Sequence, residues 1–395
     1  MKICIIVDDY LPNSTKVAAK MMHELAIAFI AQGHDVTVVT PDSNLYRGFS
    51  LIEMDGVSIY RFPSGRIKNV SKIKRAVNES LLSFWAWFFL SRVFRKNRND
   101  LIVYYSPSIF WGFLVGKLRK LWNAPSFLIL RDLFPQWAID SRVLREQSFV
   151  TKYFRWVERI NYNVADRIGI QSPKNVDWFV DKFKKKYDVS LLYNWSSDQP
   201  IVSMNKPYRE KMGINDKVVF FYGGNIGHAQ EMSNLLRLAE NLRDISKIHF
   251  VLVGSGDEVE LVKKTVERRS LKNLTLMGSV SQTEYRQLLS EFDVGLISLH
   301  RDHKTHNFPG KLLGYMVQSM PILGCVNPGN DLKEIIEDAS AGFISFSGDD
   351  ESLKLNAIRL LDEKLRQDLG KNSKRLLDEK FSVSSAVSNI LHLKN

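Results

Sequence analysis

Met1-Lys2-Ile3-Cys4-Ile5-Ile6-Val7 is an apolar run that empties into Asp8-Asp9-Tyr10-Leu11-Pro12-Asn13-Ser14. A short apolar stretch bounded by turn formers reads as a buried strand. Apolar residues then recur at helical spacing, Met21, Leu25, Ala28 and Phe29, until Gly33 marks the helix end. Residues 36–40 form the next strand. A strand–helix–strand unit with its loop at the strand's carboxyl end is the start of a doubly wound α/β fold.

Working outward, strands are expected at 101–105, 127–130 and 167–171, a helix at 175–186, and a short strand at 191–195. The polar stretch 196–205 reads as a linker. A fresh alternation follows, with strands at 217–222, 249–253, 274–277, 294–298 and 321–325. Helices at 232–244, 257–268, 283–290 and 310–318 separate them. A chain of 395 residues suits two such domains. They are expected at 1–196 and 206–380, with a C-terminal helix over 381–395 packing back on the first. Two open parallel sheets are expected to turn the carboxyl ends of their strands toward a central cleft, so function is sought in the loops after strands.

Composition narrows the class. A 45% hydrophobic and 25% charged chain is globular. Cys4 and Cys325 lie in apolar runs without metal spacing, and the opening strand leaves no signal peptide, so a cytoplasmic location is expected. The 55 Lys and Arg exceed the 43 Asp and Glu, giving a net charge of +12. Lys68, Lys72, Lys74 and Arg75 precede, and Arg92, Arg95, Lys96 and Arg98 follow, the run Leu-Leu-Ser-Phe-Trp-Ala-Trp-Phe-Phe-Leu that begins at Leu81. It is far short of the ~20 residues of a spanning helix. Two readings fit: an interfacial helix with rings at the headgroups and cations on anionic lipid, or a buried helix with solvated ends. No nucleic-acid module signature accompanies the charge, so nucleic acid is not the expected partner.

Four loops carry the candidate chemistry. Gly223, Gly224, Asn225 and Gly227 follow the first strand of the second half, where glycines let backbone amides meet phosphate oxygens; a tight turn without ligand is the competing reading. In Asn307-Phe308-Pro309-Gly310-Lys311-Leu312-Leu313, Pro309 suits a first helical turn. The amides of Gly310, Lys311 and Leu312 would then face an anion, and the Lys311 side chain adds a full charge; an ordinary capped helix is the alternative. Gly254 lies in Gly-Ser-Gly after the next strand, a turn lacking the last glycine of a dinucleotide loop. Ser279 and Val280 offer free backbone groups to a base edge, or simply turn the chain.

The order of these pieces resembles the retaining glycosyltransferases of family 4, with GT-B architecture: two Rossmann-like α/β domains facing a central cleft. The resemblance runs over nearly the whole chain. It includes Gly33-His34-Asp35-Val36, Arg131-Asp132-Leu133-Phe134-Pro135, Tyr193-Asn194-Trp195, Asp293-Val294-Gly295-Leu296 and Pro309-Gly310-Lys311-Leu312-Leu313-Gly314. Within the family the chain looks most like bacterial O-antigen and capsule members that include N-acetylfucosamine transferases. Two departures stand out. The family's Glu-x7-Glu positions are His306 and Gly314 here, and its arginine and lysine after Gly-Gly are Asn225 and Gln230. Lys311, the helix start and Arg131 are then expected to balance the diphosphate, and His306 either reaches the donor sugar or is a surface histidine.

The resemblance implies transfer of a sugar, a UDP-activated deoxyamino sugar such as N-acetylfucosamine, with retention. The implied acceptor is a polyprenyl-diphosphate-linked saccharide at the inner face of the cytoplasmic membrane. No Asp-x-Asp occurs, so a leaving-group site without metal, and no cofactor, is expected. Asp132 is the candidate for orienting the acceptor or taking its proton, against a reading as a cap or partner of Arg131. Asp9 is placed on the acceptor side, and Lys16 is a second cation for the diphosphate. A nucleotide-sugar epimerase of the same architecture and a non-catalytic nucleotide-sugar-binding scaffold remain as alternatives.

Overall fold

The computed structural model describes residues 1–394 except 15, 68–69, 141, 198, 203–205 and 303–307. The chain divides into two compact units, Met1–Tyr193 with Val383–Asn395, and Asn194–Ser382. Asn194 to Ser196, read above with the first half, belong to the second unit. The Ser196 N–H donates to the Phe381 carbonyl, and Ser196 bridges Ser382 in parallel.

Unit 1 is built on an eight-stranded sheet. Its strands are β1 (Lys2–Ile6), β2 (Asp35–Asp42), β3 (Ser50–Met54), β4 (Val57–Pro63), β5 (Leu101–Ser106), β6 (Ser126–Leu130), β7 (Arg167–Ile170) and β8 (Val189–Leu191). Their order is β3-β4-β2-β1-β5-β6-β7-β8. All neighbours pair in parallel except the hairpin β3–β4, which the alternation of strands and helices did not announce. Asp55 and Gly56 close that hairpin with φ of 51° and 80°, the Asp-Gly turn whose twist suits two antiparallel strands. The strand expected at 191–195 stops at Leu191 because the carbonyls of Leu192 and Tyr193 accept from the Arg131 guanidinium instead of a neighbouring strand.

The aromatic run folds as the helix Leu82–Lys96. Leu82, Ala86, Leu90 and Phe94 form its buried stripe, so one face is core. Trp85 and Trp87 are half-buried against that core, whereas Phe84 and Phe88 face outward at 56% and 62% exposure. Among the described residues no helix is long and apolar enough to cross a membrane. The helix Val383–Leu391 packs on the helix Val17–Ala31, and Asn389 fixes it by donating to the Leu191 carbonyl and accepting from Ser190 Oγ.

Unit 2 has a six-stranded parallel sheet of β9 (Val218–Asn225), β10 (Ile248–Ser255), β11 (Leu274–Met277), β12 (Val294–Ser298), β13 (Ile322–Val326) and β14 (Gly342–Phe346). The order β11-β10-β9-β12-β13-β14 reverses direction between β9 and β12. There the following loops run to opposite faces of the sheet and leave a crevice at the carboxyl edge. A charged clamp holds the other edge. The buried Arg209 pairs with Asp293 at 2.5 Å and donates to the Lys217 carbonyl, while Asp293 accepts from the Val219 N–H. Removing one side of such a pair strands the other charge. Asp293→Ala is therefore expected to lower the stability of unit 2 by about 2–4 kcal/mol in chemical denaturation, and a loss below ~0.5 kcal/mol would count against the clamp.

Candidate active site

The crevice of unit 2 is shaped by the glycine turn after β9. Gly224 has φ +132°, and the strand pairing sets it beside Gly254 of β10. A Cβ on Gly254 would run into the Gly224 carbonyl oxygen, one on Gly223 into the Tyr285 ring, and one on Gly227 into the Asp257 carboxylate. Gly254 and Gly223 are therefore required by packing, against backbone and ring respectively, whereas the carboxylate facing Gly227 can move aside. Gly224 differs: a Cβ there would meet the Lys311 side chain, 3.4 Å from Cε. Asn225 and Gln230 bond each other, Asn225 Nδ2 donating to Gln230 Oε1 at 2.7 Å, so neither replaces a cation.

Lys311 comes from the loop after β12, across the point of reversal. Its Nζ lies 3.7 Å from the centre of the Tyr222 ring. Tyr222 is held by its hydroxyl, which donates to the Asn225 carbonyl at 2.5 Å, so the ring that faces the lysine also closes the turn. Burial pushes the Lys311 ammonium down from lysine's ordinary 10.5 to about 7. Among the described residues no carboxylate pairs with it. An ammonium stripped of water against an aromatic face, with no counter-ion, is a place where an anion is stabilised.

The helix beginning at Lys311 ends at Val317, so its dipole is short. The Leu312 amide, expected to face the ligand, donates to the Pro309 carbonyl, and Leu313 donates to Gly310. Gly310 and Lys311 retain amides without partners among the described residues. Two further contacts hold the loops after β9 and β12 together. The His300 N–H donates to Ala229, and Glu231 accepts from both the Arg301 N–H and its guanidinium at 3.0 Å. His306 and Asn307 lie outside the described residues. A Cβ on Gly314, where the family places its second glutamate, would meet Leu289 at 3.0 Å and Tyr285 at 3.8 Å, so a larger residue there needs these side chains to give. Ser279 and Val280, past the end of β11, make no hydrogen bonds among the described residues and keep their backbone groups open.

In unit 1, acids gather at the carboxyl ends of β1 and β6. Asp8 and Asp132 both line one chamber. Burial raises Asp8 to about 6, opposed by a bond from its own backbone and by Lys16, and it also raises Asp132 against the pull of Arg131. Arg131 acts on Asp132 through its charge. That guanidinium turns inward to the carbonyls of Leu192 and Tyr193, burial brings it down to about 10, and the charge expected of it toward a diphosphate is committed to the scaffold. Lys16 and Asp9 face each other at 3.6 Å, and Ser14 Oγ donates to the same Asp9 oxygen, so these two expected site residues neutralise one another. Sequence reasoning missed Tyr222 and Tyr285. Alternation along β9 gave the signal, since a tyrosine one residue before Gly-Gly sits at the strand's open end. Among the described residues no cluster of acids, histidines or cysteines is arranged to hold a metal ion.

The two units are each a doubly wound α/β domain with polar loops at the carboxyl edge of its sheet. Residues 18–195 match the glycosyl transferase 4-like domain, and residues 204–376 match glycosyl transferases group 1. The chain belongs to the glycosyltransferases built from that pair of domains. It is 24% identical to a probable glycosyltransferase, WbjE, of Pseudomonas aeruginosa, over 70% of this chain and 68% of that protein. It is also 24% identical to the putative colanic acid biosynthesis glycosyl transferase WcaI of Escherichia coli K12, over 79% and 80%. Its fold is that of sucrose-phosphate synthase from Thermosynechococcus elongatus, at TM-score 0.74, 16% identity and coverage of 100% and 98%. It is equally that of Anabaena HepE, solved with UDP, at TM-score 0.68, 14% identity and coverage of 99% of each chain.

The position of Lys311 has a consequence for stability. Its folded value lies below its unfolded one, so between about 7 and 10.5 the unfolded chain binds the extra proton and stability rises with pH. Without nucleotide, Lys311→Met is expected to raise the melting temperature of unit 2 at pH 6 and to have progressively less effect as pH rises through 7 toward 10.5, where the unfolded lysine also loses its proton. An effect independent of pH would mean that the ammonium is solvated.

Proposed function

We propose that this glycosyltransferase takes a UDP-sugar in unit 2 and transfers the sugar to a lipid-linked saccharide bound by unit 1, in the building of a surface polysaccharide. The observation that carries the donor half is the Lys311 ammonium over Tyr222, facing Gly224 without a counter-ion. As the sugar departs, negative charge grows on the leaving diphosphate, and a preplaced cation with the Gly310 and Lys311 amides stabilises that charge more than the ground state. Bound diphosphate also returns a proton to Lys311, because an opposite charge favours the ammonium. Ser279 and Val280 are proposed to read the base edge with their open backbone groups. HepE, crystallised with UDP and with UDP-glucose, supports this choice of nucleotide. The deoxyamino sugar expected from the resemblance, such as N-acetylfucosamine, and retention of configuration stay with the proposal.

For the acceptor half, Asp132 is proposed to orient the acceptor hydroxyl, since it lines the chamber and burial raises its carboxyl against the pull of Arg131. The acceptor is proposed to be a saccharide carried on polyprenyl diphosphate and met at the inner face of the cytoplasmic membrane, with Phe84 and Phe88 rather than Trp85 and Trp87 at the lipid. The putative colanic acid role of WcaI, and WaaG, a lipopolysaccharide glycosyltransferase of the same fold, support a polysaccharide product.

Lys311→Ala is expected to weaken UDP binding about 10- to 100-fold, the range of a lost charge-assisted bond, while leaving the circular dichroism unchanged. Calorimetry checks this, and unchanged affinity would remove the phosphate site. Asp132→Asn is expected to lower turnover about 10²- to 10⁴-fold with UDP binding intact. Release of UDP that depends on added lipid-linked acceptor supports transfer, and binding of donor and acceptor without turnover would favour the scaffold.

A further inference from the structure

The sheet of unit 2 parts at one place, and a side chain stands in the gap. β9 stays paired with β10 as far as Asn225 and Ser255, and β12 with β13 as far as Ser298 and Cys325. β9 and β12 themselves pair only where Phe220 meets Val294 and Phe221 meets Gly295. Continued, that parallel ladder would next join the Gly223 N–H to the Leu296 carbonyl. The Tyr315 hydroxyl takes the place of that one bond: it accepts from the Gly223 N–H at 3.4 Å and donates to the Leu296 carbonyl at 3.1 Å. Gly295 makes room, since a Cβ there would lie 2.4 Å from the Tyr315 ring. The ring is fully buried and meets Phe221 edge-on at 6.3 Å. Burial pushes the phenol well above its ordinary value of 10, so the hydroxyl keeps its proton and goes on donating.

Tyr315 follows Lys311 by one turn of the helix Lys311–Val317, so the two side chains leave it on the same side. The residue that separates β9 from β12 thus rides on the helix that presents the cation. Its donor, Gly223, immediately precedes Gly224, against which the Lys311 side chain packs. A phenylalanine would fill the same space, but it would leave a buried N–H and a buried carbonyl facing each other across the gap. Two such groups recover a bond by drawing the strands together. We infer that Tyr315 is a positioning residue for the donor diphosphate: its hydroxyl, inserted into the ladder, holds the crevice open and sets Lys311 against the glycine turn. The inference rests on the reading of Lys311 as the cation of that diphosphate.

Tyr315→Phe removes one oxygen and keeps the ring. Calorimetry of the full-length protein with UDP at pH 8, in buffers of different ionisation enthalpy, reads both affinity and the protons taken up on binding. The unaltered protein is expected to take up about one proton, since the diphosphate recharges Lys311. Tyr315→Phe, with its circular dichroism unchanged, is expected to bind UDP about 10-fold more weakly. It should also take up roughly half the protons, because a lysine shifted off the Tyr222 ring is solvated and already charged. In a Lys311→Ala background the same change is expected to cost less than about twofold. Tyr104→Phe serves as the control: it removes a buried hydroxyl of unit 1 that donates to the Asn161 carbonyl at 2.6 Å. It is expected to lower the melting temperature and leave UDP affinity and proton uptake as they were. Unchanged affinity and uptake in Tyr315→Phe, an undiminished loss in the Lys311→Ala background, or an equal loss in Tyr104→Phe would each overturn the positioning role. Unchanged UDP binding in Lys311→Ala alone would instead remove the phosphate reading, and the role of Tyr315 with it.

Discussion

An ammonium held against an aromatic ring without a carboxylate to balance it is the constraint on which the functional account depends. Lys311 is drawn to Tyr222 because the loops after β9 and β12 meet where the strand order reverses. The meeting needs glycines: Gly254 and Gly224 must approach backbone to backbone, and Gly223 must leave room for Tyr285. The tyrosines thus connect fold to chemistry. Tyr222 closes the turn with its hydroxyl and desolvates the lysine with its ring, so the residue that stabilises the fold also creates the charge imbalance. A second oxygen ligand from this chain would relieve that imbalance and leave less for a diphosphate to gain.

Unit 1 shows the opposite arrangement. Three of its cations are satisfied from within: Arg131 by two carbonyls, Lys16 by Asp9, and Arg75 by Glu79. What stays open is acidic and apolar, Asp8 and Asp132 at one side of a hydrocarbon-walled chamber. The carboxyl edge of one sheet thus presents a buried lysine that no described carboxylate balances, and that of the other presents acids beside an apolar chamber.

Much of the fold was legible because parallel strands buried on both faces read as plain apolar runs. β1, β10 and β12 are examples, and the glycine after β9 and the proline before Lys311 punctuate the helices. The hairpin β3–β4 was missed because β3 is largely exposed and offers no buried apolar run, although Asp55-Gly56 carried a turn signal. The outward face of the helix Leu82–Lys96 was hidden for a related reason. Composition identifies an aromatic helix, but only the phase of its buried stripe, Leu82 to Phe94, decides that Phe84 and Phe88 face outward. At the site, residue types were readable and their directions were not. Arg131 looked like an available cation until its guanidinium was found bound to carbonyls, and Leu312 looked like a free amide until it was found bonded to Pro309.

A crystal structure of the protein with UDP tests the central claim most directly. The account predicts oxygens of the distal phosphate within about 3 Å of Lys311 Nζ, with the glycine turn beneath them and Tyr222 behind the lysine. Phosphates bound elsewhere on the sheet edge, with Lys311 still lying alone on its ring, would contradict it.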